Sequence, residues 1–256
     1  MTAIIVLCQP RHNVVHVVTD AAIYQRDQAV VAFGNKVSAV PHWPGIVTSA
    51  GNAAATPLFG WDLAQQFATF DDLVRDGEAV LPEMSKSFGL PSAATMIFAG
   101  ISAERGPEAY SFRTEDDVPP MSTREELEAS ECYDAPFKLV KLPAVVMTPV
   151  PSDQSIAAGY AGIDVDADPE SVLWSLRKVL TMQRHMSLPQ GLGGIGGFGQ
   201  LATISADGIA QRIIERWPDV LGAPLRPGPI DWKQWHLDIP KPGTGRVPLR
   251  LVGVSA

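Results

Sequence analysis

Apolar runs broken by turn-forming residues dominate the first 50 positions. Residues 3–7 (AIIVL) and 14–18 (VVHVV) are two such runs, with Gln9, Pro10, His12 and Asn13 between them. Residues 20–24, 29–33, 36–40 and 46–50 follow, jointed by Gly34-Asn35, by Pro41 and Pro44, and by Gly51-Asn52. Short β-rich runs with Gly, Pro and Asn at the joints are hairpin signals, so an antiparallel sheet is expected to open the protein. From 56 to 70 the pattern changes. Leu58, Phe59, Leu63, Phe67 and Phe70 recur at spacings of three and four, and Pro57 suits a first helical turn. Asp71 and Asp72 then read as the N-cap of a second helix with Leu73, Val74, Val80, Leu81, Met84 and Phe88 as its buried stripe. Gly77 and Pro82 weaken it and leave a broken helix open, and Gly89 and Pro91 end it.

Strand patterns return at 94–101 and 109–113, and the polar stretch 114–136 reads as an exposed insertion. Apolar runs over 137–150 are interrupted by Pro143 and Pro149, and 156–162 reads as a small-residue strand and turn. Asp168-Pro169-Glu170 opens a third helix with an N-cap, a first-turn proline and an acidic first turn. Its buried face comprises Val172, Leu173, Leu176, Val179 and Leu180. Residues 198–204 and 209–214 read as a hairpin turning at Ala206-Asp207-Gly208. The order β, α, β, α, β suits an α+β layered domain over residues 1–215, followed by a Pro-, Gly- and Trp-rich extension over 216–256.

Composition narrows the function classes. The 256 residues are 46% hydrophobic and 19% charged, which is incompatible with intrinsic disorder. A net charge of −8 disfavours a protein that binds nucleic acid through phosphates. Cys8 and Cys132 make neither a disulfide framework nor a metal-ligand pair. No basic run precedes the first apolar stretch, and no run approaches the roughly 20 apolar residues of a membrane span. A cytoplasmic protein with reduced thiols and no membrane association is expected.

Candidate chemistry begins at Thr2. Loss of Met1 would leave a free α-amine beside a hydroxyl, and an α-amine of pKa near 7.7–8.0 can take the hydroxyl proton. Alone, Thr2 reads as an ordinary strand start. Asp20 and Lys36 alter that: a cation beside the hydroxyl favours its deprotonated form, and an aspartate holds the cation in place. Gly51, in Ser49-Ala50-Gly51-Asn52 where strand meets helix, offers N–H groups to an oxyanion. Gly191, Gly193 and Gly196 match G-x-G-x-x-G, but no strand precedes them and a strand rather than a helix follows, so they read as close backbone packing between helix and sheet and not as a dinucleotide site. His12, His16, His42, His185 and His236 lack ligand-type neighbours, and no metal or cofactor is expected. Glu125, Glu126 and Glu128 read as a solvated face. Trp217, Trp232 and Trp235 suit either a neighbouring subunit or the tail's own domain.

Taken in order, Thr2, VVTD ending in Asp20, GNK with Lys36, and SAG with Gly51 resemble the proteasome β-subunit branch of the N-terminal nucleophile hydrolases. TMIFAGIS with EAYSF is similar to that family's central hairpin, AAGYAG to its glycine turn, and GGFGQLATISADGI to its late hairpin. The resemblance covers most of residues 2–215. It implies a four-layer αββα sandwich of two antiparallel sheets flanked by helices, with Thr2 as nucleophile, its amine as base, Lys36 lowering the hydroxyl pKa, Asp20 orienting Lys36, and Gly51 in the oxyanion hole. It further implies a threonine-type peptidase or amidohydrolase acting on peptide or protein without a cofactor, in a ring-type homo-oligomer; an ATPase partner is not readable. The chain departs from the family pattern at Tyr160-Ala161, where Ser-Gly is usual. It also has Leu192 where Asp is usual and Ile195 where Ser is usual. The alternative is a catalytically silent subunit of the same fold with an assembly role.

Overall fold

The computed structural model describes residues 2–25, 29–90, 94–114, 136–150, 163–186, 194–232 and 235. The core of the 114–136 insertion, the 156–162 turn, Leu192 and the tail beyond 235 lie outside them.

Within the described residues the protein mixes twelve strands with three helices. Strands β1 (Ile4–Gln9) and β2 (Val14–Asp20) form a hairpin, as do β3 (Ala22–Tyr24) with β4 (Val30–Phe33) and β5 (Val37–Ala39) with β6 (Gly45–Ala50). Helices α1 (Ala55–Gln66) and α2 (Phe70–Phe88) follow, then β7 (Thr95–Ser102), β8 (Gly106–Arg113), β9 (Val140–Lys141) and β10 (Val145–Thr148). Helix α3 (Pro169–His185) leads to the last hairpin, β11 (Phe198–Ser205) and β12 (Gly208–Arg216). One five-stranded sheet has the order β10-β1-β2-β11-β12, a second has β5-β6-β7-β8-β9, and β3-β4 stands as a two-stranded ribbon. Every strand pairing is antiparallel.

The opening strands therefore do not make one sheet. Their hairpins form locally, but β2 takes β11 as its other neighbour and β6 takes β7, so the first 50 residues are dealt into all three sheets. The reason lies in their faces. Antiparallel strands with one wet face alternate apolar and polar, whereas strands covered on both faces read as continuous apolar runs. All six residues of β1 and all eight of β7 are buried. Along β1, Ile5 and Leu7 join a cluster with Val172, Leu176, Val179 and Leu180 of α3. Ile4, Val6 and Cys8 join one with Ile46, Ile97, Ala99 and Ala109 of the other five-stranded sheet. The far face of that second sheet, through Val47, Met96, Phe98 and Phe112, packs on Phe59 and Leu63 of α1 and on Phe70, Leu73 and Leu81 of α2.

Helix expectations are corrected at three points. The cap of α2 is Thr69, not Asp71 or Asp72: its hydroxyl accepts from the Asp72 N–H while the Asp72 carboxylate accepts from the Thr69 N–H, a reciprocal capping box. The helix also runs unbroken through Gly77 and Pro82 to Gly89, which closes it at φ +54°. Tertiary burial of Leu73, Leu81 and Met84 on the sheet outweighs the local penalties. The first helix ends at Gln66 rather than reaching Phe70. Asp168 caps α3 as expected, accepting from the N–H groups of Glu170 and Ser171. The Pro143 interruption splits 137–150 into β9 and β10, which serve different sheets.

Candidate functional site

The β1–β2 register pairs Ile4 with Thr19, so the chain start lies beside the end of β2. Asp20, the last residue of β2, is fully buried there. Its carboxylate accepts four hydrogen bonds: Oδ1 from the Ala3 N–H at 3.0 Å and from Lys36 Nζ at 2.8 Å, Oδ2 from the N–H groups of Ala22 and Gly196, each at 3.2 Å. A buried carboxylate is tolerated when its lone pairs are met in this way.

Lys36 enters from the second sheet. It directly precedes β5, where the Asn35 side chain accepts from the Val37 N–H at 2.7 Å and the Thr48 hydroxyl donates to the Lys36 carbonyl at 2.7 Å. These bonds fix the backbone from which the side chain reaches across. Only 8% of Lys36 remains exposed, and its ammonium bridges Asp20 and the Thr2 hydroxyl, with Nζ 3.4 Å from Oγ1. Thr2, Asp20 and Lys36 are thus brought together. Gly51 is not joined to them by any hydrogen bond among the described residues. It sits exposed at the β6–α1 junction with φ +97°, a conformation that favours glycine. Behind it, Asn52 accepts from the Ala54 and Ala55 N–H groups, and the Ser49 and Thr56 hydroxyls pair at 2.7 Å.

The resemblance marked Ile195 as a departure from the family pattern, but not the backbone of 194–197 as a support for Asp20. The Gly196 N–H donates to Asp20, and the Gly196 carbonyl accepts from the Ala21 N–H at 3.1 Å. Around it, the Tyr24 hydroxyl donates to the Gly194 carbonyl, and Arg184 Nη1 donates to the Ile195 carbonyl at 2.7 Å. Burial, with Asp20 and Asp219 adding negative charge, pushes the Tyr24 phenol upward and keeps it a donor. Arg184 is itself paired with Asp219 at 2.7 Å, both nearly buried. One signal was available: Arg184 lies four residues after Leu180 on the apolar stripe of α3, an anomalous place for a charge unless it is paired. The expected packing role of the glycines holds at Gly196, where a Cβ would meet Leu225 at 2.4 Å, though the neighbour is the tail and not a helix; Gly191 and Gly193 lie outside the described residues. The ring of Trp232 packs edge-on against His185 and Trp217 lies under the Arg184 guanidinium, so both rings meet the chain's own α3.

Among the described residues no cluster of His, Cys, Asp and Glu could hold a metal ion. His16 is spent on Gln9 and Thr203, each at 3.1 Å. Burial, then the charge of Glu108, pushes the Cys8 thiol up to about 12, where it is inert. No helix among the described residues is long and apolar enough to cross a membrane. Compared with known proteins, the chain matches no family model and no curated sequence.

Proposed function

We propose that this chain is a proteasome-like N-terminal nucleophile hydrolase that cleaves amide bonds through Thr2, once Met1 is removed. The observation that carries the reading is the Lys36 ammonium lying between Asp20 Oδ1 and Thr2 Oγ1, at 2.8 and 3.4 Å. A cation held at that hydroxyl stabilises the alkoxide that must form. The three apolar clusters support the fold that goes with this chemistry, a four-layer αββα sandwich.

In the proposed reaction Thr2 Oγ1 attacks the scissile carbonyl carbon and its proton passes to the Thr2 α-amine. The tetrahedral oxyanion takes N–H donation at Gly51. Collapse breaks the C–N bond, the α-amine returns its proton to the leaving amine, and an ester to Thr2 remains. Water, deprotonated by the same amine, then hydrolyses the ester and frees the acid and the hydroxyl. Nucleophile and base share one residue, so no cofactor enters. Peptide or protein substrates and a ring-type homo-oligomer belong to the same proposal.

One observation favours a second reading, a catalytically silent assembly subunit. Ile195 is 1% exposed in the α3 cluster, so an apolar side chain stands where the family carries a polar one beside the amine.

Intact mass before and after exposure to an epoxyketone, which needs both the free amine and the hydroxyl of an N-terminal threonine, separates the two. The hydrolase reading expects loss of methionine and a one-probe adduct mapping to Thr2, abolished in a folded Lys36→Ala variant. A trimmed wild-type chain that takes no probe rejects it in favour of the silent subunit.

A further inference from the structure

The segment after β12 closes over the site from behind. The Trp217 N–H donates to the Gly197 carbonyl at 3.1 Å, and Asp219 Oδ2 accepts from the Gly197 N–H at 2.7 Å. The same carboxylate takes both nitrogens of Arg184, at 2.9 and 2.7 Å, and Arg184 in turn holds the Ile195 carbonyl. Leu225 then seals the face of Gly196, and the Gly222 N–H donates to the Val30 carbonyl at 2.8 Å. Gly196 is therefore gripped on both sides, at Ile195 and at Gly197, by groups that converge on one carboxylate. Its own N–H is the donor that Asp20 Oδ2 receives.

We propose that Asp219 is a positioning residue for the Thr2 site: by anchoring Gly197, and Ile195 through Arg184, it holds the Gly196 N–H on Asp20, and so fixes the carboxylate that aims Lys36 at Thr2. The role in the reaction rests on the hydrolase reading above; the role in holding Lys36 does not. The 217–225 segment thereby has a role at the site. It is a strap on the site. Nothing in the tail's own composition suggested that.

Removing Asp219 alone would strand a buried Arg184, so the test uses paired variants that remove both charges, a change that buried ion pairs often tolerate. Arg184→Met/Asp219→Leu leaves Gly197 without its acceptor. Arg184→Met/Asp219→Asn keeps an amide oxygen for it. Two readouts are taken on chains shown to be folded by circular dichroism: the rate of epoxyketone addition at Thr2, and the rate of reductive methylation at Lys36 by peptide mass mapping. The Leu variant is expected to add probe about 10- to 100-fold more slowly, the scale of a small misplacement at a reacting centre, and to expose Lys36 to methylation. The Asn variant is expected to recover much of both. A folded Leu variant with wild-type rates at Thr2 and Lys36 overturns the proposal, and equal impairment of the two variants overturns the hydrogen-bonding role of Asp219. If the wild type itself takes no probe, the hydrolase reading falls, and Lys36 methylation still decides whether Asp219 positions the lysine.

Discussion

Burial pulls the His16 imidazole down from 6.5 to about 4, with Arg212 and His12 adding like charge. The Gln9 side-chain nitrogen is already committed to the carbonyls of Val165 and Ala167, so the Gln9 oxygen faces the ring and His16 Nε2 carries the proton. Nδ1 then accepts from the Thr203 hydroxyl. A proton added to Nδ1 would face that hydroxyl inside the protein, while the unfolded chain binds it freely. Between pH 6.5 and 4 the unfolded state therefore holds more protons, and stability falls as pH falls. It is fully present above 6.5 and lost progressively toward 4. The loss from this one group is on the order of 3 kcal/mol. Thermal denaturation across that window should show the decline in the wild type and a shallower one in His16→Gln, which cannot titrate. Equal slopes in the two proteins would remove His16 as the cause.

Helix α1 shows how an element's local preferences yield to its neighbours. Gly60 lies in mid-helix, where alanine is ordinarily favoured by about 1 kcal/mol. Here a Cβ would come 2.1 Å from the Ser38 hydroxyl oxygen and 2.6 Å from its Cβ, because the helix lies directly on β5. Gly60→Ala is expected to destabilise by about 1–3 kcal/mol, the usual cost of overpacking, despite its gain in propensity. Urea denaturation gives the sign directly, and a stabilised Gly60→Ala would mean that helix and sheet separate easily. The continuous α2 makes the same point from the other side. Pro82 removes one backbone donor, yet the turns around it stay helical because Leu81 and Met84 are buried on the sheet.

At the scale of the whole molecule, the two five-stranded sheets are joined by the interior they share. Ile97 sits in it, fully buried on β7 among residues drawn from β1, β2, β6 and β11. Ile97→Ala should cost about 2–5 kcal/mol. The melting temperature should drop by about 2–4 °C per kcal/mol for a chain of this size. A loss under about 1 kcal/mol would mean that the sheets reclose over the cavity, as a loosely packed interior can.

Strand and helix identities were legible in the sequence because they depend on windows of a few residues. The runs at 3–7 and 94–101 are too apolar to be anything but covered on both faces, and Asp168 with Pro169 announces α3 by capping chemistry alone. Hairpin partners were legible too, since the turns that make them are local. Thr2, Asp20 and Lys36 could be singled out as candidates by residue type and by their order along a familiar pattern. What the sequence could not contain was the choice among distant partners. That β2 ends up between β1 and β11, and that Lys36 from one sheet reaches a carboxylate in the other, follows from burying both faces of each sheet at once. Such contacts join positions 176 residues apart, as Gly196 and Asp20 do. No periodicity spans that distance. The sequence by itself determined which segments must be buried and in what local form. Only the tertiary structure decided that a buried carboxylate would gather Ala3, Ala22, Lys36 and Gly196 around it, because a buried charge persists only where donors converge from wherever the chain can supply them.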